Sequence, residues 1–258
     1  MPLAVRLAPG LAGVRTGRLQ FVRGSREAFR GEGEVEVLGT VCYDWFGLNQ
    51  AIFAAVNGFH GPLLDPLMVL ATRLGAFGNA PWIMAAMLCL LAVPPVAARP
   101  AVLSWLPAPA TVLRTLVIFV FACGLSVVLV SLMKIGFDLP RPSAVLPAGS
   151  VRVLVEPESP HSFPSGHSAF AMLVLTVFWR PAGYGWRAVL VLFAALVGVS
   201  RVSVGAHFPA DVLFGYLCGG TCGWIATSVF SLPRRAASPV APPSPADGER
   251  ATLPPSAV

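Results

Sequence analysis

Long apolar stretches separated by proline-rich breaks constrain the fold of this chain more than any other feature of its sequence. A helix that crosses the hydrocarbon core of a bilayer needs about 20 mostly apolar residues. Runs of this kind occupy about 63–93, 112–133, 168–179 with its flanks, 188–204 and 210–231. Only 12% of the residues are charged, whereas soluble domains carry about 25%, so the chain cannot cover a globular surface that faces water. The sequence therefore predicts an all-α fold, a polytopic bundle of transmembrane helices.

The number of spans depends on the first apolar run. Arg73, Gly75 and Gly78 interrupt it, so it forms either one long span or two shorter ones, and the total is five or six spans. The preceding segment, 46–61, is apolar but broken by polar residues, which is typical of a short helix lying at the membrane interface. We therefore expect a membrane-embedded domain over residues 46–231.

The two ends of the chain differ from the middle in composition. Residues 1–45 are rich in arginine and glutamate and contain no continuous apolar segment of the kind found in a signal peptide, so a flexible leader is expected. Residues 232–258 are rich in proline, which predicts a disordered tail.

The basic residues predict which way the bundle faces. They are scattered along the chain rather than clustered, which argues against nucleic-acid binding and is typical of the flanks of membrane spans. If the 112–133 helix ends at Lys134, the segments 134–167 and 201–209 share one membrane face. The opposite face is then predicted to be cytoplasmic because it receives Arg99, Arg114, Arg180, Arg187, Arg234 and Arg235. The first face is accordingly expected to be the extracytoplasmic one of the cell (inner) membrane.

Three clusters of polar side chains gather at this first face, although polar groups are costly near hydrocarbon. In chain order they are Lys134 with Arg141, then Ser165, Gly166 and His167, then Ser200, Arg201, His207 and Asp211. Because the span assignment brings all three out on the same side, the sequence predicts that they meet in one pocket.

The cationic side chains of this pocket suit a phosphate. A guanidinium fork makes bidentate contacts with phosphate oxygens. Ser165 and Gly166 open a predicted helix, where free backbone N–H groups and the positive end of the helix dipole favour an anion. We therefore predict phosphate contacts from Lys134, Arg141, Ser165, Gly166 and Arg201.

Two histidines and one carboxylate complete a set that can transfer a phosphoryl group without a metal or another cofactor. His207 can attack phosphorus if its other nitrogen is held protonated, and Asp211 lies within reach across one helical turn. His167 can protonate the leaving oxygen and then activate the water that hydrolyses the phosphohistidine. The sequence shows no cluster of acidic residues or histidines with metal-ligand spacing, so a metal-independent enzyme is expected.

The three blocks resemble the motifs K-x6-RP, PSGH and SR-x5-H-x3-D of the type 2 phosphatidic acid phosphatase (PAP2) superfamily, which vanadium haloperoxidases share. Every motif position is filled, and the resemblance extends over roughly 46–231. It implies a membrane bundle, a covalent phosphohistidine on His207, an acid at His167 and phosphate contacts from the five residues named above. It also implies a membrane lipid phosphatase, an acid anhydride or phosphoric monoester hydrolase. Undecaprenyl diphosphate is the first choice of substrate, and phosphatidate or phosphatidylglycerol phosphate is the second.

Other functions stay open at this point. A haloperoxidase-like enzyme would hold vanadate in the same pocket, although such enzymes are typically larger and soluble, and a lipid phosphotransferase would replace water by another acceptor. A membrane protein with a degenerate site would lack the nucleophile or the acid, and both are present. Polar residues near the first span are candidates for a headgroup site or lipid access path, namely Asn57, Asp65, Arg73 and Asn79, whereas His60 and His161 match no motif position.

Overall fold

Helices make up most of the described part of the chain, which is residues 43–93, 106–156 and 159–230 of the computed structural model. In chain order they are α1 (Leu48–Gly58), α2 (Leu64–Leu74), α3 (Ala80–Leu91), α4 (Pro109–Phe137), α5 (Pro142–Val145), α6 (Gly166–Phe178), α7 (Tyr184–Ser203) and α8 (Pro209–Val229). Short 3-10 turns occupy Trp45–Gly47 and Phe77–Asn79. The predicted all-α fold is confirmed.

The long helices agree with the predicted spans. Within the described ranges, α4, α7 and α8 are each long and apolar enough to cross a bilayer. Helix α2 and the segment Phe77–Leu91 meet that condition only together, and they are bent by 60° at the break between them. Helix α6 is apolar but has 13 residues, which is about 20 Å of helix against about 30 Å of hydrocarbon. The apolar run 63–93 is therefore a bent pair of helices. The described residues contain three helices long enough to span, or four spans with this pair, where the sequence predicted five or six.

The bend between α2 and α3 has an identifiable cause. The Asn79 side-chain amide donates to the carbonyls of Arg73 (2.7 Å) and Leu74 (2.9 Å), so it satisfies the end of α2. Gly75 follows α2 where a Cβ would lie 2.4 Å from the Val197 side chain of α7. Pro81 then lies in the first turn of α3, where its missing N–H group is not needed. Asn79 thus closes the bend, and its proposed place in a lipid access path or headgroup site stays a prediction.

Helices α6 and α8 pack with their backbones in close contact. A Cβ at Gly215 would lie 2.4 Å from the Ser165 carbonyl oxygen, and one at Gly219 would lie 1.9 Å from that of Ala169. Small residues at every fourth position permit such an approach between membrane helices. The contact holds the first turn of α6 beside the first turn of α8, where the Ser165 N–H donates to the Asp211 carbonyl at 3.0 Å.

Buried aromatic rings lie under the same end of the bundle. Phe53 of α1 packs against Phe208 with ring centroids 5.2 Å apart, and Tyr43 makes edge contacts with Phe163 and Phe208. Tyr43 is 8% exposed although it falls on the leader side of the predicted boundary at residue 45. The remainder of the leader, 1–42, and the tail from 231 onward lie outside the described residues, so their predicted flexibility stays a prediction.

Four helices meet at this end with alternating direction. Lys134 lies in the last turn of α4 and Arg201 in the last turn of α7, whereas α6 and α8 begin here with His167 and Asp211 in their first turns. Chain segments far apart in sequence therefore deliver their polar side chains to one place.

Candidate active site

His207 lies in the short connection between α7 and α8. The N–H groups of Ala206 and His207 both donate to the Arg201 carbonyl, at 3.1 and 3.2 Å, which closes a tight turn. Gly205 in this turn has φ +79°, and a Cβ there would lie 2.3 Å from the Arg152 carbonyl oxygen, so the position requires glycine. The turn buries the His207 ring, which is 2% exposed.

Asp211 lies behind the ring in the first turn of α8. Its Oδ2 accepts the Phe208 N–H at 2.9 Å, which caps the helix, and stands 3.4 Å from His207 Nδ1. On the other side of the ring, Arg141 Nη1 lies 3.4 Å from His207 Nε2. Because arginine only donates, Nε2 carries the lone pair and Nδ1 carries the proton. This is the arrangement that the sequence predicted for a nucleophilic imidazole.

The surroundings of His207 keep its ring neutral. Burial lowers its pKa from 6.5 to about 3, and the charges of Arg201 and Arg141 lower it too, while the hydrogen bond and charge of Asp211 act in the opposite direction. A neutral ring at physiological pH retains the Nε2 lone pair that a bond to phosphorus would use.

Lys134 and Arg141 are held by one short segment, residues 159–162. Lys134 Nζ donates to the His161 carbonyl at 3.0 Å, and Arg141 Nε donates to the Ser159 carbonyl at 2.6 Å. Arg141 Nη1 also donates to the Ala206 carbonyl at 2.8 Å. His161, which matches no motif position, thus contributes its backbone to the site, while its ring pairs with Asp138 at 2.6 Å.

Arg201 is 4% exposed and is contacted from α2. Its Nη1 donates to Thr72 Oγ1 at 3.5 Å, and Thr72 Oγ1 lies 2.8 Å from Ser200 Oγ. The Ser200 hydroxyl in turn donates to the Val197 carbonyl at 2.7 Å. This chain of hydroxyl groups fixes the end of α7 that carries Arg201.

The PSGH block forms the start of α6. The Ser165 hydroxyl caps the helix, because it accepts from the Ser168 N–H at 3.4 Å and from the Ser168 hydroxyl at 3.0 Å. A Cβ at Gly166 would meet only a Val130 methyl group at 4.0 Å, so there is open space where a side chain at this position would begin. The side chain of His167 is half-buried and interacts electrostatically with Arg201, His207, Arg141 and Lys134.

All eight residues predicted for the site therefore lie at one end of the bundle. Within the described ranges, no three His, Cys, Asp or Glu side chains are grouped so that they could hold a metal ion. The cationic groups of this site are those of Lys134, Arg141 and Arg201, and an anion is the ligand that they suit.

Several site residues were missed at the level of sequence. Tyr43 Oη donates to Asp211 Oδ1 at 2.7 Å, and the Ser162 hydroxyl donates to Asp211 Oδ2. Neither residue belongs to a motif position, and Ser162 is marked only by its place two residues before the PSGH block. The aspartate is thus enclosed by donors from three separate segments.

Helices α1 and α2 hold the segment 200–210 that carries His207. Asn49 Oδ1 accepts the Ala210 N–H at 3.0 Å, and the Asn57 amide donates to the carbonyls of Ser203 (2.9 Å) and Arg152 (2.8 Å). Asn57 Oδ1 also accepts the Arg152 N–H at 2.9 Å. Asn57 is therefore a buried structural residue, which corrects its assignment as a candidate lining residue.

Asp65 has a partner of its own in the loop before α6. Its carboxylate forms an ion pair with the Arg152 guanidinium, and both side chains are partly exposed. The hydrogen bond to Asp65 raises the pKa of Arg152 further above its usual value. This pair ties the loop before α6 to the first turn of α2.

An apolar groove opens below the site, between the bend of α2 and α3 on one side and α6 and α7 on the other. Its volume is about 450 Å³. Phe170, one turn beyond His167 on α6, lies in its wall. The other lining residues are Leu74, Asn79, Trp82, Ile83, Ala86 and Phe193.

Comparisons with known proteins find a matching family, similar sequences and similar folds. The model of the PAP2 superfamily matches residues 115–235. The undecaprenyl-diphosphatase BcrC of Bacillus subtilis (strain 168) is 31% identical over 170 residues, which are 64% of this chain and 76% of BcrC. The crystal structure of Aquifex aeolicus LpxE has a TM-score of 0.56 at 30% identity and covers 70% of this chain and 95% of its own. The crystal structure of the first transmembrane PAP2 type phosphatidylglycerolphosphate phosphatase from Bacillus subtilis has a TM-score of 0.54 and covers 86% of this chain and 98% of its own. At 22% identity, this similarity shows the fold alone.

Proposed function

Because the chain belongs to the PAP2 superfamily and is a membrane-embedded, metal-independent lipid phosphatase, we propose that its substrate is undecaprenyl diphosphate and that His207 is its nucleophile. The observation that carries the proposal is the pairing of His207 Nδ1 with Asp211 while Nε2 faces Arg141. A lone pair is thereby directed at the place where cationic groups would hold a phosphate.

The reaction proceeds in two steps at this site. His207 Nε2 forms a bond to the terminal phosphorus while the bridging P–O bond breaks, and His167 protonates the departing oxygen of undecaprenyl phosphate. His167 then takes a proton from water, whose oxygen attacks phosphorus, breaks the N–P bond and releases inorganic phosphate. Lys134, Arg141 and Arg201 stabilise the charge on the equatorial oxygens, which is the main source of rate enhancement in such transfers.

The substrate choice is supported by two observations. BcrC, three quarters of which this chain matches, is an undecaprenyl-diphosphatase. The apolar groove lined by Phe170 and Phe193 has room for part of a lipid tail, and Phe170 lies one turn beyond His167 on α6. Phosphatidate and phosphatidylglycerol phosphate are the second candidates, because the cationic residues contact phosphate and not the tail.

We place the site at the extracytoplasmic face of the cell (inner) membrane. Arg114 lies near the start of α4 and Arg187 near the start of α7, both at the end opposite to His207. An excess of basic residues flanking short connections marks the cytoplasmic side of a membrane protein. A lipid diphosphate processed outside the cytoplasm would reach His207 from this outer leaflet.

Phosphate release by the purified protein in detergent tests the proposal. Undecaprenyl diphosphate, phosphatidate and phosphatidylglycerol phosphate are compared at equal mole fraction, with and without EDTA. We expect the diphosphate to be hydrolysed fastest, with no loss of rate in EDTA. Faster release from either glycerolipid would replace the substrate choice, and a strict requirement for a divalent ion would contradict the mechanism.

A variant pair tests the nucleophile in the same assay. His207→Ala should abolish turnover, whereas His60→Ala, at an exposed position outside the motifs, should keep it. Brief incubation with a substrate labelled in the terminal phosphate should leave acid-labile label on the wild-type protein and on His60→Ala, but not on His207→Ala. Retained turnover in His207→Ala would show that another group attacks phosphorus.

A further inference from the structure

Asp211 makes more hydrogen bonds than the pairing with His207 requires. Its Oδ1 accepts from Tyr43 Oη at 2.7 Å, and its Oδ2 accepts from the Ser162 hydroxyl and from the Phe208 N–H at 2.9 Å. The carboxylate is 0% exposed, so these donors replace the water that an ionised group would otherwise need. They also fix the direction in which each oxygen points.

Ser162 stands between the imidazole and the carboxylate. Its Oγ lies 3.3 Å from His207 Nδ1 and donates its own proton to Asp211 Oδ2. Since that proton is used, the lone pairs of Oγ face the Nδ1 proton. The direct distance from Nδ1 to Oδ2 is 3.4 Å, longer than the usual 2.7–3.2 Å of such bonds. The serine hydroxyl therefore completes a link that the aspartate alone makes only weakly.

Tyr43, which lies outside the three motifs, donates a hydrogen bond to the other carboxylate oxygen of Asp211, Oδ1. Burial raises the pKa of Tyr43 well above its usual value of 10, and the neighbouring Asp211 raises it further, so the phenol keeps its proton and donates. Its ring is wedged against Phe163 and Phe208, with centroids 5.9 and 6.4 Å away. These two rings directly follow Ser162 and His207 in the chain, so one aromatic cluster orients all three polar groups.

We propose that Ser162 and Tyr43 are positioning residues for the phosphoryl transfer: together they orient Asp211 and hold His207 in the tautomer whose proton is on Nδ1. Tyr43 acts through Asp211, whereas Ser162 acts through Asp211 and through its own contact with His207 Nδ1. This inference rests on the proposed function in so far as His207 is the nucleophile. The same contacts compensate the positive charge that the ring gains when Nε2 is phosphorylated.

Kinetics of single variants give the first test. Ser162→Ala should lower kcat about tenfold to a hundredfold, the usual range for losing a hydrogen bond to a charged group, with little change in KM. Tyr43→Phe should do the same. The matched controls are Ser126→Ala, which deletes a buried hydroxyl within α4, and Tyr216→Phe, whose hydroxyl donates to the Ala194 carbonyl at 2.6 Å. Both controls should keep the wild-type kcat.

Combination with Asp211→Asn separates positioning from general damage. If Ser162 acts through Asp211, Ser162→Ala should lower kcat much less in the Asp211→Asn background than in the wild type. Fully additive losses would overturn the inference. A wild-type kcat in both Ser162→Ala and Tyr43→Phe would overturn it as well.

The tautomer itself can be measured without any substrate. The chain has four histidines, so selective ¹⁵N labelling gives a small set of imidazole signals, and His207→Asn identifies the one of interest. The wild-type ring should show a protonated Nδ1, and both variants should show a mixture of tautomers. An unchanged tautomer would overturn the inference even if kcat falls.

These readouts keep the two proposals apart. If the wild-type protein releases no phosphate from any lipid tested, the proposed function fails, yet the imidazole signals still decide the role of Ser162 and Tyr43. If Ser162→Ala does not fold, Tyr43→Phe provides the same measurements from the other carboxylate oxygen.

Discussion

Replacement of Gly219 by alanine tests whether the close contact of α6 with α8 holds the candidate active site together. A Cβ at Gly219 would lie 1.9 Å from the Ala169 carbonyl oxygen, whereas ordinary contact begins at 3.4 Å, so the helices must separate by about 1.5 Å. Overpacking of this kind costs about 1–3 kcal/mol. The separation would extend along α8 to the Ser165 N–H···O bond at Asp211, and a misplacement of about 1 Å between reacting groups costs about a hundredfold in rate.

Gly220→Ala is the matched control for this change. It adds the same methyl group at the next position of α8, where the nearest neighbours are Met172 side-chain atoms at 3.5 and 3.8 Å. Because both variants gain the same helix propensity of about 1 kcal/mol, the difference between them isolates the clash. We expect Gly219→Ala to show a lower melting temperature in detergent and at least tenfold slower phosphate release than Gly220→Ala. Equal stability and equal activity of the two variants would refute the reasoning.

Three further changes have expected outcomes. Lowering the pH from about 7 to about 4 should destabilise the wild type more than His207→Asn in urea unfolding. The His207 ring has a pKa of about 3 in the folded protein and of 6.5 in the unfolded chain. The unfolded chain therefore binds a proton in this pH range and the folded protein does not, so the free energy of unfolding decreases as the pH falls. Equal slopes for both proteins would contradict the burial of a neutral ring. Asn57→Ala should cost about 1–3 kcal/mol in thermal unfolding, because it leaves buried backbone groups of Arg152 and Ser203 without partners. Asp65→Asn, which breaks a partly exposed ion pair, should lower the melting temperature less, and the reverse order would show that the ion pair is the main attachment of this loop. Thr72→Val should weaken inhibition by vanadate about two- to tenfold, since it removes the hydroxyl that orients Arg201, and an unchanged inhibition constant would show that Arg201 is held by its other contacts.

The helices could be predicted from the sequence because apolar runs of sufficient length have few alternatives in a membrane. Backbone groups in hydrocarbon must be satisfied within the segment, which leaves the helix as the solution for a single run. Prolines then set two of the starts, since α4 begins at Pro109 and α8 at Pro209. The run 63–93 was ambiguous for a physical reason: its bend depends on the Asn79 side chain and on the contact of Gly75 with Val197, and neither is visible in local composition.

For the candidate active site too, the residues within local motifs could be predicted from the sequence, and the residues that act through distant contacts could not. The eight motif residues could be named because their spacing along single helix ends already predicts one shared face. Tyr43 and Thr72 could not, because Tyr43 meets Asp211 across 168 positions and Thr72 meets Ser200 across 128.

A polar residue inside an apolar helix nevertheless indicates that its side chain has a hydrogen-bond partner, since burying it without one costs free energy. Asn49, Asn57 and Thr72 all belong to this class, and all three find their partners in the segment 200–210. The first two helices thus hold the connection that carries His207 against the bundle by hydrogen bonds to its backbone and side chains. A chain without α1 would leave the Ala210 N–H and the Ser203 carbonyl to find new partners, so the position of His207 depends on helices that contain no motif residue.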